Sequence, residues 1–545
     1  MKFDAAENVF IEGDNLEVLK ILQRGYNDKV KLIYIDPPYN TTKDFIYNDD
    51  FTDSLDAYLK YSGQRDSDGN MTSATIESRG RRHSGWISMM MPRLSLARNL
   101  LRRDGIIFVS IDDNEVHNLR HTMDMIFGQN NFIACLIWDM GVSQQAGQFS
   151  EVHQYVLVYA RDKNELSNFK SIGDEKIDDR AIKKISKSNP ASDYSFPVGV
   201  RCDAPDGTLL SGTWGEKEQI HLVEGKFEVR DGKTLHAMTL RAGWAMKDIM
   251  NSWLTSSEIV LDTRGQEIEE FYFNSQGILK CRKKKGVMTP PTVQRWGPQS
   301  RATKEVFELL QVDVFDSPKP TQMLCDIISW ATTGDDVVLD FFAGSGTTGH
   351  AVMAQNLLDG SERKFILVNL PEDIDFSKKP DAKKVKVKTV ADITRYRLKK
   401  SAQSLGLKDF ALKSLTLGES NFKIWNPEDV GNSEGQIAEA LQFYSESLLA
   451  GASDDSIIAE LLLKEGVPIG LPWQRLKVAE TEVVRVGSVG VSLTRAVSEK
   501  FISEILKVGW LEKLLMLDAA FDGLDKHKSN LLHGAKEAGI IVGVA

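Results

Sequence analysis

The sequence predicts an α/β protein built on a parallel sheet, with a second domain inserted into it. Three observations carry this. Short apolar runs alternate with helix-period segments over residues 1–161 and again over 301–400. The stretch between them, 162–300, is polar and irregular and breaks the alternation. A glycine-rich turn from Gly344 to Gly349 separates an apolar strand from a helix. Strands buried on both faces by helices read as continuous apolar runs, so this texture points to a covered parallel sheet.

Taken in order, Leu32–Ile35 is the first such strand, and it runs into Asp36-Pro37-Pro38-Tyr39. Trp86 to Gly105 reads as a helix, because Trp86, Met90, Leu94, Ala97 and Leu101 recur at spacings of three and four. Pro92 inside it kinks it or marks its true first turn. Asp104-Gly105 closes the helix, Ile106–Asp112 follows as a strand, and Tyr155–Ala160 is another. In 301–400 a strand at Val337–Phe342, a helix at Thr347–Leu358 and a strand at Lys364–Leu370 form the unit from which nucleotide-binding folds are built. Residues 401–545 read as a mixed α/β tail, with helices expected at Ile437–Gly451 and Ser498–Leu517.

The 545 residues suit several packed units, and 42% hydrophobic with 26% charged content is ordinary for a globular chain. A formal charge of −10 argues against a simple basic nucleic-acid coat, although net charge says little about local sites. Basic residues cluster at Leu279–Gly286 and Lys383–Lys400; each cluster is a solvated face or a surface for phosphate. Four scattered cysteines, Cys135, Cys202, Cys281 and Cys325, form no C-x-x-C pair, which disfavours zinc and suits a reducing cytoplasm. The first 15 residues lack the apolar stretch of a signal peptide, and no run of about 18 apolar residues would span a membrane.

Two stretches carry chemistry. In Leu339–Gly349, Gly344 and Gly346 let backbone approach a ligand where a Cβ would block it. The helix that follows opens with orphan N–H groups and partial positive charge. A P-loop needs a lysine that is absent; Gly344, Gly346 and Gly349 do meet the spacing of a dinucleotide turn. Asp340, at the carboxyl end of the strand, adds an anion that suits a zwitterionic ligand with an α-amino group, such as S-adenosylmethionine. A ribose acceptor is expected at the end of the next strand, where both Asn369 and Glu372 are candidates. The second stretch, Asp36 to Tyr39, reads either as a strand-ending turn or as a clamp for a flipped base. In the clamp reading Tyr39 stacks, the Asp36 carboxylate and Pro37 carbonyl accept from an exocyclic amine, and Pro37 and Pro38 supply rigidity.

Asp-Pro-Pro-Tyr together with Phe342-Ala343-Gly344-Ser345-Gly346 resembles the signature pair of amino-group DNA methyltransferases. The first precedes the second by roughly 300 residues, a permuted order similar to the β class of these enzymes. Further stretches, including Tyr39–Phe51, His83–Leu101, Ser420–Trp425, Leu461–Ile469 and Leu517–Asn530, resemble the modification subunit of type III restriction–modification systems.

The resemblance implies a Rossmann-like, S-adenosyl-L-methionine-dependent fold, circularly permuted. Residues 1–161 would be its catalytic half, 162–300 a target recognition insert, 301–400 the cofactor-binding half, and 401–545 a C-terminal region for dimer or restriction-subunit contacts. It implies cofactor contacts from Asp14, from Lys319 and Pro320, and from Phe342, Gly344, Gly346 and Thr347, and it makes Val152–Arg161 the strand lining the target-base pocket. His153 within that strand is as readily a satisfied core histidine, and Asp14 as readily a helix N-cap. The implied activity is N6-adenine methylation of double-stranded DNA, without a metal, by a homodimer that pairs with an ATP-dependent restriction subunit in a prokaryotic, nucleoid-associated cytoplasmic setting. Alternatives are a cytosine-N4 enzyme, a solitary adenine enzyme, an RNA methyltransferase and a catalytically silent DNA-binding scaffold.

Overall fold

The computed structural model describes residues 3–41, 78–141, 148–169, 176–255, 260–262, 266–284, 289–423, 448–449 and 451–544. The chain divides into two compact units, one made of Met1–Ser167 with Pro291–Ala545 and the other of Asn168–Pro290.

The first unit is built on a nine-stranded sheet. Its order is Val293–Gln294, Phe132–Asp139, His153–Ala160, Leu101–Ile111, Val30–Ile35, Val337–Asp340, Lys364–Asn369, Asn8–Glu12 and Leu412–Thr416. His153–Ala160 runs antiparallel to both neighbours, and every other pairing is parallel. Two segments far apart in sequence therefore lie side by side: Val338 pairs with Leu32, and Leu339 with Ile33. From this pair the chain steps outward in opposite directions, which makes it the switch point where open α/β sheets bind ligands.

Apolar periodicity explains the cover. Trp86, Met90, Leu94, Ala97 and Leu101 are all fully buried. The helix carrying most of them is Ser78–Leu100, however, and the strand after it is Leu101–Ile111. The expected helix end at Gly105 is thus four to five residues late. Sheet pairing overrides helix propensity here: the Asn99 and Leu100 carbonyls already accept from the Asp28 and Lys29 N–H groups, and Leu101 pairs with Val30. Arg102 is held by Asp104 at 3.0 Å and Asp336 at 2.8 Å. Pro92 lies inside the helix, which continues through it.

The C-terminal part adds a five-stranded sheet in sequence order, Gln474–Val478, Thr481–Val486, Val489–Ser492, Lys513–Met516 and Ile541–Val544. The expected helix over Ser498–Leu517 is half right. A helix spans Glu499–Ile505, but Lys513–Met516 is a strand with parallel neighbours on both sides. A short apolar run does not declare its period, and only pairing decides it. The helix expected at Ile437–Gly451 falls almost wholly outside the described residues. Among the described residues no helix is long and apolar enough to cross a membrane.

Among the described residues, the second unit holds three small antiparallel sheets and the helix Lys247–Thr255. Its core is aromatic: the Phe273 ring lies 5.3 Å from Phe196 and 5.1 Å from Phe227, both edge-on. The basic run beginning at Leu279 is not a bare surface. Lys280 pairs with Glu218, Arg282 with Asp178 and Glu270, and buried Lys283 sits between Asp179 and Asp262. Because Phe273 is the ring that joins the other two, Phe273→Ala is expected to destabilise residues 168–290 by about 3–5 kcal/mol. Urea denaturation of the full chain should show one transition moving and the nine-stranded unit unchanged; an unmoved first transition would contradict the assigned core.

Candidate active site

Parallel pairing at the switch point brings the two chemical stretches to one edge of the sheet. Strand Val30–Ile35 delivers Asp36 to Asn40, and its neighbour Val337–Asp340 delivers the glycine loop. Asp14 and Asn369 emerge at the same edge, since Glu12 pairs with Asn369 and the Gly13 N–H donates to the Asn369 carbonyl at 2.9 Å. Asn15 ties the two halves by donating to the Phe341 carbonyl at 2.7 Å.

The Asp36 carboxylate is engaged at both oxygens. The Tyr39 hydroxyl donates to Oδ1 at 2.9 Å, and the Lys319 ammonium stands 2.8 Å from Oδ2. Lys319 is 8% exposed and lies 5.0 Å from the centroid of the Tyr39 ring and 6.0 Å from that of Trp138. The Tyr39 hydroxyl also lies 3.3 Å from Gln154 Oε1, on the strand His153–Ala160. Burial and the Asp36 charge hold the Tyr39 hydroxyl well above its ordinary pKa, so it remains a donor. Pro37 is buried, and the Pro38 carbonyl accepts from Trp86 Nε1 at 2.7 Å. Asn40 closes the turn in the left-handed region, at φ 56°, and donates to the fully buried Glu115. Glu115 is further held by Asn118 at 2.8 Å and the His83 ring at 2.6 Å.

The glycine loop is equally braced. Gly344 and Gly346 take φ values of 49° and 83°, where L side chains are strained. A Cβ on Gly346 would stand 3.0 Å from Thr394 Cγ2. The Gly344 carbonyl accepts from Asn369 Nδ2 at 2.9 Å and Thr394 Oγ1 at 2.6 Å. Gly346 is the N-cap of the helix Thr347–Asp359 and offers no side-chain cap, so that positive helix end is left for a ligand or water. Phe342 is buried beside Phe341. Pro320 is the N-cap of the helix Thr321–Ala331, directly after Lys319.

Several predicted residues carry duties that sequence alone left open. Asp14 caps the helix Asn15–Tyr26, accepting from Leu16 N at 2.8 Å and Glu17 N at 3.1 Å. Lys319 touches the Asp36 carboxylate directly. Asn369 turns its amide into the glycine loop, whereas Glu372 is half-buried and bonds no side chain among the described residues. Burial raises the Glu372 carboxyl above the usual range. His153 is satisfied by Tyr155 at 2.8 Å. Trp86, Glu115, Thr394 and Arg397 are supports that sequence reading passed over. Arg397 was hidden in the basic run Lys383–Lys400, although the structure buries it fully. The signal available for Asn40 was its place directly after the two prolines and Tyr39.

The class of protein follows from comparison as well as geometry. A family model described as DNA methylase matches residues 30–371, more than half of the chain, and the chain belongs to that family. It is 35% identical over 435 residues to the Mod subunit of the type III restriction-modification enzyme StyLTI of Salmonella typhimurium, covering 77% of this chain and 61% of that protein. It is 33% identical over 410 residues to the EcoPI Mod subunit of Escherichia phage P1, covering 72% and 62%. The chain thus spans about three fifths of the length of these two relatives. Against the type II methyltransferase M.KpnI of Klebsiella pneumoniae it is 29% identical over 416 residues, covering 72% of this chain and 88% of that protein.

Asp340 gives the site a pH signature. Its carboxylate is 2% exposed and accepts from Phe342 N at 3.0 Å and Thr348 Oγ1 at 2.5 Å. Burial pushes its pKa up to about 7, against the lowering effect of those two bonds. An unfolded aspartate titrates near ~4. Folding therefore favours the protonated form, and the cost of ionising Asp340 grows as pH rises from about 4 to about 7 and is complete above that. Asp340→Asn keeps an acceptor for Phe342 without titrating. Its stability relative to wild type, measured by urea denaturation, should rise between pH 5 and pH 8; a difference flat with pH would contradict this.

Proposed function

We propose that this chain transfers a methyl group from S-adenosyl-L-methionine to the exocyclic amine of a flipped adenine in duplex DNA, as the modification subunit of a type III restriction–modification system. The single observation carrying this reading is the adjacency of the Asp36–Tyr39 clamp and the glycine loop on neighbouring parallel strands. Membership of the DNA methylase family supports the reaction class, and the Mod relatives support the system.

The residues fit the cofactor. The uncapped helix end at Gly346 and the left-handed glycines suit close backbone approach, and the desolvated Glu372 carboxylate suits a pair of ribose hydroxyls. When bound, the cofactor supplies an electrophilic methyl group on a sulfonium. Everything else is done by the protein. Tyr39 fixes Asp36 Oδ1, which leaves Oδ2 for the substrate, and Lys319 occupies that place at rest. The incoming amine replaces the ammonium: it takes Oδ2 and the rigid Pro37 carbonyl as acceptors and stacks its ring on the Tyr39 face that Lys319 covers. Accepting both N–H bonds draws the amine lone pair out of the aromatic system. The fixed carboxylate then stabilises the positive charge that develops on nitrogen without prior removal of a proton, and the methylated nitrogen afterwards loses one proton, to Asp36 Oδ2 or to water. Holding both reactants in line contributes the proximity term. Residues 162–300 would read the DNA sequence, and residues 401–545 would serve a homodimer or an ATP-dependent restriction subunit.

Four measurements test this. Asp36→Ala should lower methyl transfer by about 10²–10³-fold while S-adenosylhomocysteine still binds. Mass spectrometry of nucleosides from DNA methylated by the wild type should return N6-methyladenine; N4-methylcytosine would overturn the choice of base. Glu372→Ala should weaken S-adenosylhomocysteine binding about tenfold, as expected for lost bonds to a charged group. Asn369→Ala should instead lower the melting temperature by removing one of the two donors to the Gly344 carbonyl. The reverse pattern would assign the ribose to Asn369.

A further inference from the structure

Behind the glycine loop lies a cation that the mechanism above does not use. Arg397, on the helix Val390–Ser404, has no exposed surface. Its Nη1 donates to Ser345 Oγ and to Thr347 Oγ1, each at 2.7 Å, and its Nη2 donates to Thr321 Oγ1 at 3.1 Å. Nε has no hydrogen-bond partner among the described residues. The nearest carboxylate oxygen, on Glu305, is 3.7 Å away and already accepts from the Thr321 hydroxyl. The neighbouring His350 is no counter-ion: burial and the Arg397 charge push its pKa down to about 3. Burial lowers the pKa of Arg397 to about 10, which leaves it protonated at neutral pH. Among the described residues its hydrogen bonds go to neutral hydroxyls and its one ion-pair partner, Glu305, is shared with Thr321, so the buried charge is only partly compensated and a second anion at the site would be favoured.

A guanidinium only donates. Each of the three hydroxyls must therefore accept from Arg397 and direct its own proton elsewhere. The Thr321 proton goes to Glu305. Ser345 Oγ and Thr347 Oγ1 lie 3.3 Å apart, so one of them can donate to the other, and at least one O–H remains for a ligand. Both sit where the uncapped helix Thr347–Asp359 begins. The geometry points to Arg397 as a positioning residue that fixes the Ser345 and Thr347 hydroxyls as donors toward a carboxylate, that of the amino-acid end of the cofactor. Through Thr321 it also locks the segment carrying Lys319 and Pro320 onto the glycine loop. This rests on the cofactor reading above and goes beyond it in naming which part of the ligand the buried charge serves.

Calorimetric binding of two ligands to the full chain tests it: S-adenosylhomocysteine, which has the amino-acid end, and 5′-methylthioadenosine, which lacks it. Arg397→Met should weaken S-adenosylhomocysteine at least tenfold and change 5′-methylthioadenosine less than twofold, and Arg397→Lys should recover part of the loss. Should Arg397→Met not fold, Arg397→Lys and Ser345→Ala are read in the same assay, with the same selective weakening expected. Equal weakening of both ligands, or none of either, overturns the inference and leaves the cofactor reading standing. Wild-type protein that binds neither ligand removes the cofactor reading, and the inference with it.

Discussion

The rest of the structure depends on one parallel pairing, between Val30–Ile35 and Val337–Asp340. It joins two half-sheets, with Leu101–Ile111 next on one side and Lys364–Asn369 next on the other. Because parallel strands end on the same side, the Asp36 turn and the glycine loop come out together. The connection between them takes in the whole Asn168–Pro290 unit, which has its own hydrophobic core. Loop-closure cost grows only slowly with length, so a long folded insertion at this place is tolerated.

Around that pairing the site is braced by buried polar groups that bond to residues distant in sequence. Trp86 holds Pro38, Glu115 holds Asn40, Thr394 and Asn369 hold Gly344, and Arg397 holds Ser345 and Thr347. Buried polar networks of this kind rigidify only when every member is paired. The ion pair of Lys319 with Asp36 differs in character: it keeps a partly buried carboxylate paired with a charge of opposite sign. Asp340 shows the opposite solution, since burial without a cation favours its neutral form.

Much of this was legible in the amino-acid order. The alternation of apolar runs announced a covered parallel sheet, and the two motifs announced the DNA methylase family. Other features were not legible, for identifiable reasons. The helix through Trp86 ends at Leu100 because sheet pairing claims Leu101, and propensity cannot anticipate a partner strand. Lys513–Met516 is too short to show a period, so its place between two strands decided it. The basic run Lys383–Lys400 reads as a uniform surface, yet Arg397 is buried and Arg395 pairs with Glu12 and Asp392. Charge counts say nothing about which face of a helix turns inward.

By itself, the sequence determined the chemistry on offer: a carboxylate and a ring on a proline-stiffened turn, and a glycine turn that only small residues can follow. These are local properties, set by φ restriction and side-chain type. Tertiary structure alone decided which groups meet. It placed Lys319 on Asp36, tied the Asn369 amide to the Gly344 carbonyl, and put Arg397 against Ser345 and Thr347. Such contacts join residues from tens to hundreds of positions apart. They arise only when the sheet closes, because hydrogen bonding and burial act through space and carry no mark in the local order of residues.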